Sequence, residues 1–294
     1  MIKNIQKRAS GFSMIELAVV IIIIGILTAA VLKGDKVIKN SKLSAARTAT
    51  NSSAVHAIEG VILWLEATSQ DSYIDTEGPA GDDGSAITKW VEINSQTTNK
   101  ETLDATGVPT YDEDGINDRP AINFSAGGAS FSSVNFPNIG NEATIFLVMK
   151  PSALNQQVMA KSPATINSST NFVFGAQVPE KDLFWCFTTS CEVTSQDNIS
   201  ANTPFITSLV YEKDYTGTTD RVRTYVNSYT SNEDLESTTA NGTNLNNLTI
   251  GKGPTYDFTG SIGEVIIFDQ KLNSDDHRAV MKYLGKKWGI NISE

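Results

Sequence analysis

The sequence predicts an α+β chain: a long N-terminal α-helix, then an antiparallel β-sandwich closed by a short C-terminal helix. Three observations carry this expectation. From Phe12 to Leu32 only Ser13, Glu16 and Thr28 are appreciably polar, and no proline occurs between Phe12 and Leu65. From residue 61 to Asp269 the chain becomes short β-branched and aromatic runs separated by turn signals, with no convincing helix. From Ser274 apolar residues return to helical spacing. Many antiparallel strands without crossover helices give a two-sheet sandwich or jelly roll.

The apolar run, at ~1.5 Å rise per residue, spans roughly 31 Å, about one hydrocarbon core. It predicts a transmembrane anchor over residues 12–32. A cleaved secretory signal has an apolar region of ~7–15 residues followed by a small-x-small site. Here the run is longer, lacks that site, and follows a basic leader ending in Gly11. Cutting at that glycine leaves the helix in the mature chain. Lys3, Lys7 and Arg8 favour a cytoplasmic N-terminus, although the far flank is basic too, with Lys33, Lys36, Lys39, Lys42 and Arg47.

The stretch Gly11-Phe12-Ser13-Met14-Ile15-Glu16-Leu17 resembles the class III leader of type IV prepilins and type II secretion pseudopilins. The resemblance covers about the first thirty residues. It implies that residues 1–11 are a leader, that prepilin peptidase cuts between Gly11 and Phe12, and that the new amine of Phe12 is methylated. It also implies that Glu16 serves filament assembly. The expected partners are that peptidase, the inner-membrane assembly machinery and further copies of the chain. The expected location is the inner membrane for the precursor and an extracellular filament (pilus) for the product.

Glu16 has a physical rationale of its own. A charge in a spanning helix costs a few kcal/mol and is usually paired. Cleavage creates an ammonium on Phe12, four residues ahead on the same helical face and at the helix end that favours a carboxylate. The pair is either local or made with a neighbour's amine; the family resemblance implies the second.

Beyond Leu32 the pattern stays helical but amphipathic, through Ile38, Ala45, Ala49, Val55, Ile58 and Ile62. One helix is expected from Phe12 to about Gly60, with Gly25 and Gly34 its weak points.

Charge and cysteine content narrow the function classes. The net charge is −10, and −13 without the leader, because Lys3, Lys7 and Arg8 leave with it. Such acidity argues against nucleic-acid binding, which needs a basic face. Cys186 and Cys191, close in sequence, are expected to form a small-loop disulfide after export, the alternative being two buried thiols.

Expected strands are 86–93, 120–124, 143–150, 157–161, 172–177, 183–188, 205–212, 221–228, 248–252 and 261–268. Ser274 is expected to cap the final helix, whose first turn holds Asp275 and Asp276. Val280, Met281, Leu284 and Trp288 form its apolar face, and Gly289 ends it. The run from Phe258 through Ile262-Gly263-Glu264-Val265-Ile266-Ile267-Phe268, followed by Tyr283-Leu284 and Trp288-Gly289, resembles the C-terminal part of concanavalin A-like, laminin G-type jelly rolls. Leu63-Trp64-Leu65-Glu66-Ala67 and Arg119-Pro120-Ala121-Ile122-Asn123-Phe124 agree. The resemblance spans residues 61–294 and is specific for fold rather than activity.

Chemistry is sparse. The Glu-x-Asp-x-x-Glu strand of glucanases of this fold is missing, and Glu233-Asp234-Leu235-Glu236 reads as a polar loop. His56 and His277 are far apart and form no triad pattern, so no enzyme is expected. No cofactor is expected, apart from calcium, which laminin G-type domains often bind. Asp112, Asp114 and Asp118 offer hard oxygen ligands for it, although a solvated turn is the preferred reading of them. Tyr111, Tyr215, Tyr229 and Tyr256 are candidates for stacking on sugar rings. Three roles are therefore expected in this order: filament subunit, minor pilin or adhesin with a glycan or protein ligand, and secretion pseudopilin.

Overall fold

The computed structural model describes residues 14–75, 82–97, 100–125, 128–133, 136, 140–154, 156–161, 172–177, 182–186, 191–193, 199–213, 215, 216, 220–231, 233–237 and 247–294. Some side chains inside helices and strands, among them 26, 27, 29–33 and 35, also lie outside the description. The chain divides into two compact units, Met1–Lys42 and Leu43–Glu294.

Helix α1 runs Met14–Asn51, roughly 57 Å at 1.5 Å per residue. It stops short of the expected end near Gly60. The reason lies in Asn51-Ser52-Ser53, whose side chains compete for backbone hydrogen bonds. Ser52 Oγ donates to the Thr48 carbonyl at 2.8 Å. Ser53 turns extended and caps a separate 3-10 turn, Ala54–Ala57, by accepting from Val55 N.

The strands, in order, are β1 (Val61–Glu66), β2 (Tyr73–Asp75), β3 (Ile87–Val91), β4 (Thr102–Thr106), β5 (Thr110–Asp112), β6 (Ala121–Phe124), β7 (Ser130–Ser132) and β8 (Glu142–Pro151). They continue with β9 (Gln156–Lys161), β10 (Val173–Gln177), β11 (Asp182–Cys186), β12 (Cys191–Val193), β13 (Phe205–Glu212), β14 (Asp220–Val226), β15 (Glu233–Ser237), β16 (Leu248–Ile250) and β17 (Gly260–Phe268). One sheet has the order β15-β14-β13-β8-β17-β6-β5, with β1 also pairing β17; the other has β12-β11-β10-β9-β16-β7-β4-β3-β2. All pairings are antiparallel, as the sandwich expectation requires.

The segment expected as a polar loop at 233–236 is instead the edge strand β15. Its backbone register sets Asp234 opposite Arg223 and Glu236 opposite Arg221.

The inter-sheet core contains Leu63, Leu65, Trp90, Phe124, Phe131, Leu147 and Val265. A second apolar layer, with Trp64, Phe146, Ile266, Phe268, Val280, Leu284 and Trp288, lies between the first sheet and helix α2 (Ser274–Trp288). Both faces of β1, β8 and β17 are thus covered, which is why these strands are nearly continuous apolar runs.

The N-cap of α2 is Asn273 rather than Ser274; its side chain accepts from Asp275 N and Asp276 N, as an amide oxygen does well. Gly289 closes the helix at φ 64°. Gly263 interrupts the β17 register, and a Cβ there would lie 2.5 Å from the Trp288 ring. Glycine at that bulge is what lets the indole pack.

Candidate functional site

Glu16 lies in the first turn of α1 and is exposed. Around it the helix presents an apolar surface: Met14 is 93 % exposed, Ile15 73 %, and Leu17 and Val19 to Ile24 remain 44–61 % exposed. Exposed apolar side chains, interrupted by Glu16, thus follow one another from Met14 to Ile24. Among the described residues no helix is long and apolar enough to cross a membrane. The span expected over residues 12–32 includes side chains that lie outside the description, and Gly11 and Phe12 lie outside it as well.

The last turns of α1 belong to the second compact unit. Ala46 and Thr50 are buried. Arg47 Nε donates to the Thr68 carbonyl at 2.8 Å, and Thr50 Oγ1 meets Tyr283 Oη at 3.4 Å. Arg47 and Thr50 border a recess of about 320 Å³, lined also by His56, Glu66, Asp71 and Lys100.

Behind that recess is a charged cluster with no exposed surface. Register places Glu66 on β1 directly opposite Glu264 on β17. Lys287, from α2, bridges them with Nζ 2.9 Å from Glu66 Oε2 and 2.9 Å from Glu264 Oε2. Glu264 further accepts from Trp64 Nε1 at 2.7 Å, Tyr283 Oη at 2.6 Å and Trp288 Nε1 at 2.8 Å. Glu66 Oε2 accepts from Thr68 N at 2.8 Å and Thr68 Oγ1 at 2.5 Å, whereas its Oε1 is buried without a hydrogen-bond partner among the described residues.

Burial opposes both charges, but each partner overrides it. Glu66 is held below the usual carboxylate range by Lys287 and the Thr68 bonds, and Lys287 is raised by Glu264 and Glu66. The pairing therefore consists of ions, with Glu66, Glu264 and Lys287 each at 0 % side-chain exposure. A glycosidase also needs two carboxyl groups, but they must reach a sugar. These two are buried, and both are bound to Lys287 of α2.

Glu92, after β3, is a different case. Its carboxyl is buried, Oε2 accepts from Glu101 N at 3.0 Å, and Oε1 has no partner among the described residues. Burial pushes its pKa up to about 7, with the Glu101 carboxylate adding to the rise. An acid whose folded pKa is raised loses stability as pH rises from its unfolded value, ~4.3, through the folded one. Glu92→Gln is thus expected to stabilise the protein by on the order of 1–3 kcal/mol at pH 8 and by nothing at pH 4. Urea titrations at the two pH values check this; equal gains at both would contradict it.

The loop of the calcium candidates is a tight turn. Asp112 Oδ1 accepts Asp114 N at 3.1 Å, Asn117 and Asp118 take φ of 52° and 57°, and Ile116 and Arg119 exchange backbone bonds. Among the described residues no three His, Cys, Asp or Glu side chains are placed to hold a metal ion. Of the sugar-stacking candidates, Tyr111 is buried at 5 % exposure, so it offers no open ring face. Tyr215 and Tyr256 are exposed, and the Tyr215 and Tyr229 rings are covered by Arg221 and Arg278, each 4.4 Å from the centroid. Cys186 and Cys191 are register partners across β11–β12; their side chains lie outside the description.

The sequence reading missed the buried cluster. A carboxylate in each of two apolar strands and a lysine in helix α2 do not by themselves reveal that the three meet.

Comparison with known proteins gives three results. Residues 6–32 match the prokaryotic N-terminal methylation motif. No curated protein matches the sequence. Solved structures share the sandwich. A GH54 α-L-arabinofuranosidase soaked with a cyclic sulfate inhibitor is similar over 78 % of this chain, at 8 % identity and TM-score 0.51. An arabinofuranosidase complexed with arabinofuranosyl-α-1,2-xylobiose is similar over 79 %, at 9 % identity and TM-score 0.51. In each case the match covers 60 % of that chain, so this protein corresponds to only part of those enzymes. Domain 4 of an extracellular arabinanase from Geobacillus stearothermophilus matches over 76 % of this chain and 97 % of its own, at 13 % identity and TM-score 0.43. The chain thus joins an N-terminal methylation motif to an antiparallel two-sheet sandwich whose fold those arabinofuranosidases share.

Proposed function

We propose that the chain is a structural subunit of a type IV pilus-like filament. In this reading prepilin peptidase removes residues 1–11 after Gly11, and the amine of Phe12 is methylated. Residues 12–32 hold the precursor in the inner membrane before the helix bundles with other copies. Glu16 meets an N-terminal amine in that bundle, and the jelly roll is displayed outside without enzymatic activity. The observation that carries the reading is the methylation motif at residues 6–32 running directly into α1, whose side chains from Met14 to Ile24 leave an apolar face uncovered. Small residues and apolar faces are what packs such helices in a membrane-like interior. Shearing cells and identifying the bulk protein of the released filaments tests it. This chain is expected as the main component, and filaments without it would assign it to a minor or pseudopilin role.

Cys186 and Cys191 are proposed to be disulfide-bonded in the exported protein. Directly opposed residues of an antiparallel pair have Cα atoms about 4.5–5.5 Å apart, inside the range a disulfide spans. The unreduced protein is expected to resist alkylation at both residues, and ready alkylation would overturn the bond.

A further inference from the structure

The buried cluster carries one negative charge more than it neutralises. Glu66 and Glu264 are two carboxylates, Lys287 is one ammonium, and all three side chains are at 0 % exposure. Lys287 and Thr68 both bond Oε2 of Glu66, and Oε1 is left buried without a hydrogen-bond partner among the described residues. A buried acceptor without a donor costs free energy, and more so on a charged group. Glu66 is also a wall of the recess of about 320 Å³ at the end of α1. That volume lies at the lower end of the ~300–1,000 Å³ of small-molecule sites.

The other walls divide into groups already engaged and groups with capacity to spare. His56 is engaged at both ring nitrogens, Nε2 with the Thr50 carbonyl at 3.2 Å and Nδ1 with Ser95 Oγ at 3.3 Å. Thr50 Oγ1 donates to the Ala46 carbonyl at 3.2 Å. Arg47 gives its Nε to the Thr68 carbonyl, which leaves the Nη end of the guanidinium without a hydrogen-bond partner among the described residues. Asp71 and Lys100 line the recess and are exposed. The recess therefore offers carboxylates from Glu66 and Asp71 and cationic donors from Arg47 and Lys100.

This set selects among ligands. A hydroxyl satisfies Oε1 but leaves the excess charge of the cluster in place, whereas a primary ammonium does both. A bare metal ion would share the recess with two cations, and among the described residues no three His, Cys, Asp or Glu side chains are placed to hold one. An ammonium that carries its own carboxylate meets every wall: its anionic end suits Arg47, whose planar fork matches a carboxylate.

We propose that the recess binds a small zwitterion, a free α-amino acid, with its ammonium on Glu66 Oε1 and Asp71 and its carboxylate on Arg47 and Lys100. The site lies wholly within the unit Leu43–Glu294 and does not depend on the filament reading. A bound ligand bridges the last turns of α1, which carry Arg47, to the 3-10 turn Gln70–Ser72, which carries Asp71.

The test is calorimetric titration of the full chain in detergent with each of the common L-amino acids, with methylammonium and acetate as single-charge controls. At least one amino acid is expected to bind saturably and to raise the unfolding temperature with concentration, while neither control does so at the same concentrations. Arg47→Met and Glu66→Gln, made separately, are each expected to weaken that binding at least about tenfold. Because Asp71 is exposed, Asp71→Asn keeps the fold, checked by near-UV dichroism, and is expected to weaken binding several-fold. No saturable binding by any amino acid overturns the proposal and leaves water on Oε1. Full affinity in both Arg47→Met and Asp71→Asn also overturns it, because the ligand then sits elsewhere. Methylammonium binding as tightly as the amino acid overturns the zwitterion and makes the recess a site for a simple cation.

Discussion

Lys287→Met is expected to lower the stability of the folded chain by roughly 3–5 kcal/mol, the usual consequence of leaving buried charge without its partner. Two carboxylates share that one ammonium, and neither Glu66 nor Glu264 has exposed surface through which water can replace it. Methionine retains most of the volume, so the loss reports on charge rather than on a cavity. Two further measurements separate this cause from general damage. Lowering the pH protonates the stranded carboxylates, so the deficit relative to the unaltered protein is expected to shrink in acid. Adding Glu66→Gln to Lys287→Met is expected to recover part of the loss, because one uncompensated charge is removed. Thermal unfolding of the full chain in detergent, followed by near-UV dichroism, reads all three. A deficit that is constant with pH and unrelieved by Glu66→Gln would place the cost in packing. The cluster ties β1, β17 and α2 together, and through Tyr283 it reaches Thr50 at the end of α1.

The second large effect belongs to Glu16. Glu16→Ala is expected to leave membrane insertion and the jelly roll intact, since the residue is exposed in the first turn of α1, outside the compact unit Leu43–Glu294. Its removal even makes the apolar segment easier to bury. What it takes away is the one acid among the apolar side chains of that turn, the group proposed above to meet an N-terminal amine. An unpaired charge in a membrane-like interior costs a few kcal/mol, so filament yield is expected to fall at least about tenfold. Membrane-pool and filament blots provide the comparison, and undiminished filaments would remove Glu16 from assembly.

How much of this was legible in the sequence depended on how many side chains each element buries. Strands β8, β13 and β17, buried along nearly their whole length, stood out as apolar runs. Strand β4, by contrast, buries only Leu103 of its five residues, so Thr102-Leu103-Asp104-Ala105-Thr106 carried no period. The three-residue strands β2, β5 and β7 are held by their neighbours' ladders rather than by any pattern of their own. Helix α1 was foreseen from its apolar run, but its end was not, because Asn51-Ser52-Ser53 compete through hydrogen bonds that hydropathy does not register. The buried cluster was invisible for a different reason. Only the β1–β17 register sets Glu66 opposite Glu264, and only the docking of α2 delivers Lys287 to them. Long-range pairing of that kind leaves no local trace.

The most direct measurement is the intact mass and N-terminal residue of the chain recovered from sheared filaments. The account predicts a polypeptide that begins at an N-methylated Phe12 and retains the whole of α1. A secreted product beginning beyond Leu32 would contradict it, because the helix would then be discarded during export rather than kept to bind its neighbours.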